Sequence, residues 1–185
     1  GARLFNAAVA LNCDISELCK YCDSVNICFS KGLGCPIGSM LIGDEAFIRM
    51  AKRYRKALGG AMRQTGVIAA AAMVALDEIV PKLVLDHENA RLVYSEIKSM
   101  DIQGLKVYEP ETNIVMFEID EHELGINDTD FVQYFAAKDI RIHRWEKDVY
   151  RFVFHHQHTK DEIDALLKCV KLLSVHKIAQ KKSVT

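Results

Sequence analysis

Lys31 is the residue whose setting most suggests chemistry. It follows residues 24–29, an apolar run that reads as a short buried strand with Val25, Ile27 and Phe29 on one face, and it precedes Gly32 and Gly34. An amine nucleophile must be held where a carbonyl can reach it, and desolvated enough to lose its proton. A strand end, then Ser30, Lys31 and a glycine loop that lets the backbone approach a ligand, is a setting used by lysines that condense with a carbonyl. By spacing alone, an ordinary exposed turn lysine is the stronger reading.

Two arginines could bind anions in the planar, bidentate manner that suits a carboxylate. Arg3 stands near the start of the chain, and Arg151 lies in the short strand-like run 151–154. Their bland counterparts are a surface arginine and a cross-strand ion pair. Arg49, Lys52, Arg53, Arg55 and Lys56 form a basic run on a predicted helix, mostly a solvated face. Gly59 and Gly60, just before Arg63, give that segment the freedom to approach a phosphate. His155, His156 and His158 form a small cluster. Neighbouring strand residues face opposite ways, so His155 and His156 make poor co-ligands; a structural or solvent-facing role is preferred and no metal site is assigned. Cys19 and Cys22 form a C-x-x-C pair without a second pair at zinc spacing. With no secretory pattern ahead of them, the six Cys read as reduced packing thiols of a cytoplasmic or organellar protein.

The elements that must position these residues follow from patterning. The chain has 185 residues, 50% hydrophobic and 26% charged, with a formal charge of −1. That excludes compositional disorder and nominates no polyanionic partner, neither nucleic acid nor membrane surface. The apolar run 67–76 is too short to span a bilayer. Residues 4–11 are helical by propensity, and Asp14 caps a short helix over 15–21. A second strand is expected through Met40, Leu41 and Ile42. Asp44 opens a basic helix to about Leu58, closed by Gly59-Gly60. Helices dominate 65–100, with Pro81 at a junction. Strands are expected over 112–119, 140–144 and 151–154, with an amphipathic helix over 128–138 between them. Thr159 and Glu162 form a capping box that opens a helix to about Leu173. The tail after His176 is polar and expected to fray. The layout is α/β followed by α+β, with a boundary between residues 80 and 100.

Several segments, in order, resemble the low-specificity L-threonine aldolases: Gly1-Ala2-Arg3-Leu4-Phe5-Asn6-Ala7-Ala8, Asp23-Ser24-Val25, the stretch from Ser30-Lys31-Gly32 to Ser39, and Arg55-Lys56 with Gly59-Gly60-Ala61-Met62-Arg63-Gln64. Thr112-Asn113 and Tyr150-Arg151-Phe152-Val153-Phe154-His155 extend the similarity to nearly the whole chain. The resemblance implies a pyridoxal 5′-phosphate enzyme with the PLP-dependent transferase-like fold (fold type I), cleaving L-threonine or L-allo-threonine to glycine and acetaldehyde. It implies a truncated large domain over 1–90 and a small α+β C-terminal domain over 91–185. Lys31 would be the catalytic, cofactor-bearing lysine. Arg3 would anchor cofactor and substrate, and Arg151 would clamp the substrate carboxylate. Lys56 and Arg63 would reach a neighbouring subunit's site, Lys56 for substrate and Arg63 for the cofactor phosphate, in a homodimer or homotetramer.

In that family, the aspartate that pairs with the pyridine nitrogen directly precedes the Gly-Ala-Arg motif, and the phosphate loop and ring-stacking histidine lie further upstream. The chain, which opens without Met, is therefore expected to be the C-terminal part of an aldolase, with negligible turnover as 185 residues alone. Two rivals stand beside this reading. One is another enzyme on the same fold, such as a β-eliminating lyase or an aminotransferase. The other is a non-catalytic truncated relative serving as an oligomerisation or interaction module.

Overall fold

The computed structural model describes residues 1–182, which form two compact units, Gly1–Val84 and the residues from Leu85 onward. In the first unit, α1 (Leu4–Leu11) begins at Arg3 and ends at Asn12 in the left-handed conformation. Asp14 caps α2 (Ile15–Cys19), its carboxylate accepting from the Ser16 N–H at 2.8 Å. β1 (Ser24–Cys28) and β2 (Ser39–Gly43) pair antiparallel, with Ser24 opposite Gly43 and Cys28 opposite Ser39. Ile27 and Phe29 turn inward, as the alternation of apolar residues requires, and pack with Leu33, Cys35, Ala72 and Ala75.

Asp44 accepts from the Phe47 N–H at 2.7 Å and opens α3 (Glu45–Ala57). Gly59 follows with φ of 79°, and the Gly60 N–H closes on the Arg55 carbonyl. α4 (Gly66–Val74) passes into a π turn over Ala75–Ile79 and a 3₁₀ turn over Val80–Lys82. Pro81 explains the change: its ring cannot sit over the Asp77 carbonyl in a regular α-helix, so the backbone widens and then tightens around it.

α5 (Leu83–Ser99) leads into the second unit. Here β3 (Leu105–Val107), β4 (Ile114–Ile119), β5 (His143–Glu146) and β6 (Val149–Val153) form an antiparallel sheet in the order β3-β4-β6-β5. α6 (Glu121–Leu124) and α7 (Asp128–Ala136) lie between β4 and β5, and α8 (Lys160–Lys182) closes the unit. The inward faces of β4 and β6 stack Phe117 on Phe152 at 4.6 Å between centroids, with Phe131 and Phe135 of α7 against them. The α+β character expected of this half is present.

Three expectations need correction. Residues 140–142 are not strand; Ile140 and Ile142 pack against the core from an irregular segment, and the strand begins at His143, where pairing to Arg151 starts. β3 and α6 were not foreseen. The last helix continues past Leu173 to Lys182, so the expected frayed tail is helix over 177–182, while 183–185 lie outside the described residues.

Candidate active site

Lys31 is presented on a turn built by its own backbone. The Gly34 N–H donates to the Lys31 carbonyl at 2.8 Å, and Gly34 takes φ of 68°, a conformation open to glycine at little cost. The Cys35 N–H returns to the Phe29 carbonyl, and Phe29 donates to Gly38, so the loop is anchored at both shoulders. Gly32 and Leu33 are buried while Lys31 remains exposed.

The reason for glycine at 32 is tertiary. A Cβ there would lie 2.9 Å from Asn6 Oδ1 and 3.4 Å from an Arg3 guanidinium nitrogen. Thus the start of α1 packs its arginine and a buried asparagine against the residue that follows Lys31, and two sequence candidates, Arg3 and Lys31, are brought into one neighbourhood. Cys28 completes it. Its thiol is held below the ordinary cysteine range, first by the hydrogen bond with Ser30 and further by the Lys31 charge.

Lys56 and Arg63 are exposed, Lys56 in the last turn of α3 and Arg63 in the loop before α4. Arg151 belongs to the C-terminal unit and is half-buried on β6, opposite His143 of β5. Its Nη2 lies 3.5 Å from His143 Nε2, and its guanidinium carbon sits 4.6 Å from the centre of the Trp145 ring. Both Arg151 and His143 line a cleft of about 790 Å³ with His155, His158, Lys138 and Glu162.

The histidines serve the joint between β6 and α8. The His155 N–H donates to His158 Nδ1 at 3.1 Å, and the two rings stack at 3.8 Å. Burial pushes both imidazoles below their ordinary value. Among the described residues, no group of three His, Cys, Asp or Glu side chains is placed to hold a metal ion. Asn113 is a structural pin: fully buried, its amide donates to the Phe154 carbonyl at 2.6 Å and ties the strand end to β4.

Asn6, Cys28, His143 and Trp145 escaped sequence reasoning. Trp145 carried a faint signal, being the sole tryptophan and six positions before an arginine on the adjoining strand.

The described architecture matches that of the fold type I pyridoxal-phosphate enzymes. A crystal structure assigned as an L-allo-threonine aldolase from Listeria monocytogenes superposes with a TM-score of 0.75 at 19% identity, over 94% of this chain and 50% of that one. A serine palmitoyltransferase structure from Sphingomonas wittichii gives a TM-score of 0.62 at 14% identity, over 83% of this chain and 40% of that one. The chain belongs to the beta-eliminating lyase family, whose model matches residues 1–122. The low-specificity L-threonine aldolase 1 of Arabidopsis thaliana is 40% identical over 169 residues, 91% of this chain and 47% of that protein. The chain thus spans about half the length of the curated relatives it matches.

The side chains present fit pyridoxal phosphate. Lys31 offers an exposed primary amine for its aldehyde, and the Arg3 guanidinium beside Gly32 offers a cation for an anionic group.

Proposed function

We propose that the protein carrying this chain is a pyridoxal-phosphate-dependent aldehyde-lyase that splits the Cα–Cβ bond of L-threonine or L-allo-threonine, giving glycine and acetaldehyde. The observation that carries this reading is the exposed Lys31 amine with Arg3 packed against Gly32, in a chain 40% identical to a threonine aldolase. The cofactor, when bound, supplies the aldehyde that captures an amine and a ring that accepts the electron pair left on Cα.

The chain's own groups take the remaining tasks. Lys31 Nζ holds the cofactor and exchanges protons at the reacting carbon. Arg3 and Arg151 address anionic groups, Arg151 that of the substrate carboxylate. The exposed placement of Lys56 and Arg63 supports their reaching a second subunit, Lys56 toward substrate and Arg63 toward phosphate, in a homodimer or homotetramer. Six cysteines that form no disulfide support a reducing compartment such as the cytosol.

The test joins these 185 residues to the N-terminal half of the Arabidopsis thaliana relative. Borohydride treatment of that chimaera loaded with pyridoxal phosphate should leave a phosphopyridoxyl group on Lys31, located by peptide mapping. Turnover should release acetaldehyde and glycine. Label on a different lysine would remove Lys31 from its role, and ammonia with a 2-oxo acid would identify a β-eliminating enzyme instead.

A further inference from the structure

We propose that Trp145 is a positioning residue that holds the Arg151 guanidinium ready for the carboxylate of an incoming amino acid. The inference rests on the reading of Arg151 as the carboxylate-binding arginine.

The local backbone is built to place this tryptophan. β5 and β6 pair with His143 opposite Arg151 and Arg144 opposite Tyr150, yet Glu146, not Trp145, stands opposite Val149. Trp145 is therefore the extra residue of a β-bulge, a device that re-aims a side chain out of the regular pleat. Its indole remains 54% exposed, so it is not there to fill the core. What it meets is Arg151, with the guanidinium carbon 4.6 Å from the ring centre. That is cation–π distance.

How Arg151 is held differs from its neighbour on the same hairpin. Arg144 pairs with Asp128 at 2.9 Å, so its charge is neutralised within the protein. Arg151 has no carboxylate within ion-pair distance among the described residues. Its contacts are the indole face and the His143 ring, and its Nε is buried without a hydrogen-bond partner. An aromatic ring stacked on one face orients a guanidinium and leaves the in-plane N–H groups free. With Nε hidden and Nη2 directing one N–H toward His143 at 3.5 Å, the remaining Nη N–H groups form the edge on offer. An arginine restrained in this way keeps its charge for a ligand and loses less side-chain freedom when the ligand arrives.

Because Trp145 is the only tryptophan, its emission reports directly on the stacked pair, independently of activity. In the chimaera loaded with pyridoxal phosphate, titration with L-threonine should change saturably the part of the emission that Trp145→Phe removes. L-threoninol, which lacks the carboxylate, should not change it, and Arg151→Gln should abolish the response. In the chimaera described above, Trp145→Ala and Trp145→Leu should raise KM for L-threonine roughly fivefold, with kcat within about twofold, the scale of one exposed cation–π contact. Trp145→Phe should recover most of the loss, since it keeps a ring; leucine keeps only apolar bulk. A wild-type KM in both the alanine and leucine variants overturns the role of Trp145. If Arg151→Gln then still raises KM strongly, the assignment of Arg151 survives on its own. A normal KM in Arg151→Gln, or an emission that L-threonine leaves unchanged, overturns both.

Discussion

Gly32 shows how a single residue governs the neighbourhood of Lys31. The atom that a Cβ would meet at 2.9 Å, Asn6 Oδ1, belongs to a side chain only 2% exposed, which has no solvent to swing into. Gly32→Ala must therefore displace the start of α1 and the Arg3 guanidinium with it. We expect a loss of about 1–3 kcal/mol, the usual cost of overpacking, read from urea denaturation of the chain. In the chimaera, Lys31 should also label more slowly. Gly66→Ala is the control: nothing lies within 4 Å of its added Cβ at the start of α4, so stability should hold or rise by about 0.5–1 kcal/mol. Equal midpoints for the two variants would contradict the packing account.

At the scale of elements, the joint between β6 and α8 combines a helix cap with two half-buried imidazoles. Thr159 and Glu162 cap α8 reciprocally, the Thr159 N–H donating to the Glu162 carboxylate at 2.7 Å and the Glu162 N–H to the Thr159 hydroxyl at 3.3 Å. His155 and His158 lie beside this cap with proton affinities lowered chiefly by burial, the nearby Glu162 charge opposing only part of the effect. The unfolded chain therefore binds protons at both histidines before the folded chain does. Stability conferred by the neutral pair is intact above the ordinary value of 6.5 and is lost as pH falls from there through the depressed native values. Urea midpoints should fall over that window, and a His155→Asn/His158→Asn double variant should show a flatter profile. A midpoint that rises on acidification would reverse the sign of the argument.

For the whole molecule, the N-terminal unit leaves much apolar surface uncovered. Met40, Leu41 and Ile42 of β2, Met50 and Tyr54 of α3, and Val67, Met73 and Val74 of α4 are all exposed. Apolar surface of this extent marks a face for contact with other protein surface. Lys56, in the last turn of α3, and Arg63, in the loop that joins α3 to α4, lie on the same segment of chain. If Arg63 binds the phosphate of a site whose Lys31 belongs to another copy, chimaeras carrying Lys31→Ala and Arg63→Ala should each be nearly inactive. Mixed dimers would place both lesions in one site and spare the other. Co-refolding the two should then recover up to roughly half of normal activity if heterodimers dominate. Verified heterodimers without recovered activity would place Arg63 within its own subunit or outside the site.

What the sequence determined by itself is local. Asp14, Asp44 and Thr159 start their helices because a side-chain oxygen beside free N–H groups is favourable in any context, and Pro81 breaks a helix for the same kind of reason. The turn that displays Lys31 was legible in its glycines, and the ordered motifs around it carried the family. Tertiary structure decided the rest. β3 has only three residues and exists because Leu105 to Val107 find partners on β4. Ile140 and Ile142 look like strand residues, yet they gain more by burial against the core, and pairing waits until His143 meets Arg151. Gly32 is needed because of Asn6, which lies 26 positions earlier, and Trp145 reaches Arg151 because a bulge shifts the register by one residue. Capping and turn chemistry depend on neighbours along the chain, whereas strand register and close approach depend on partners that only the folded backbone supplies.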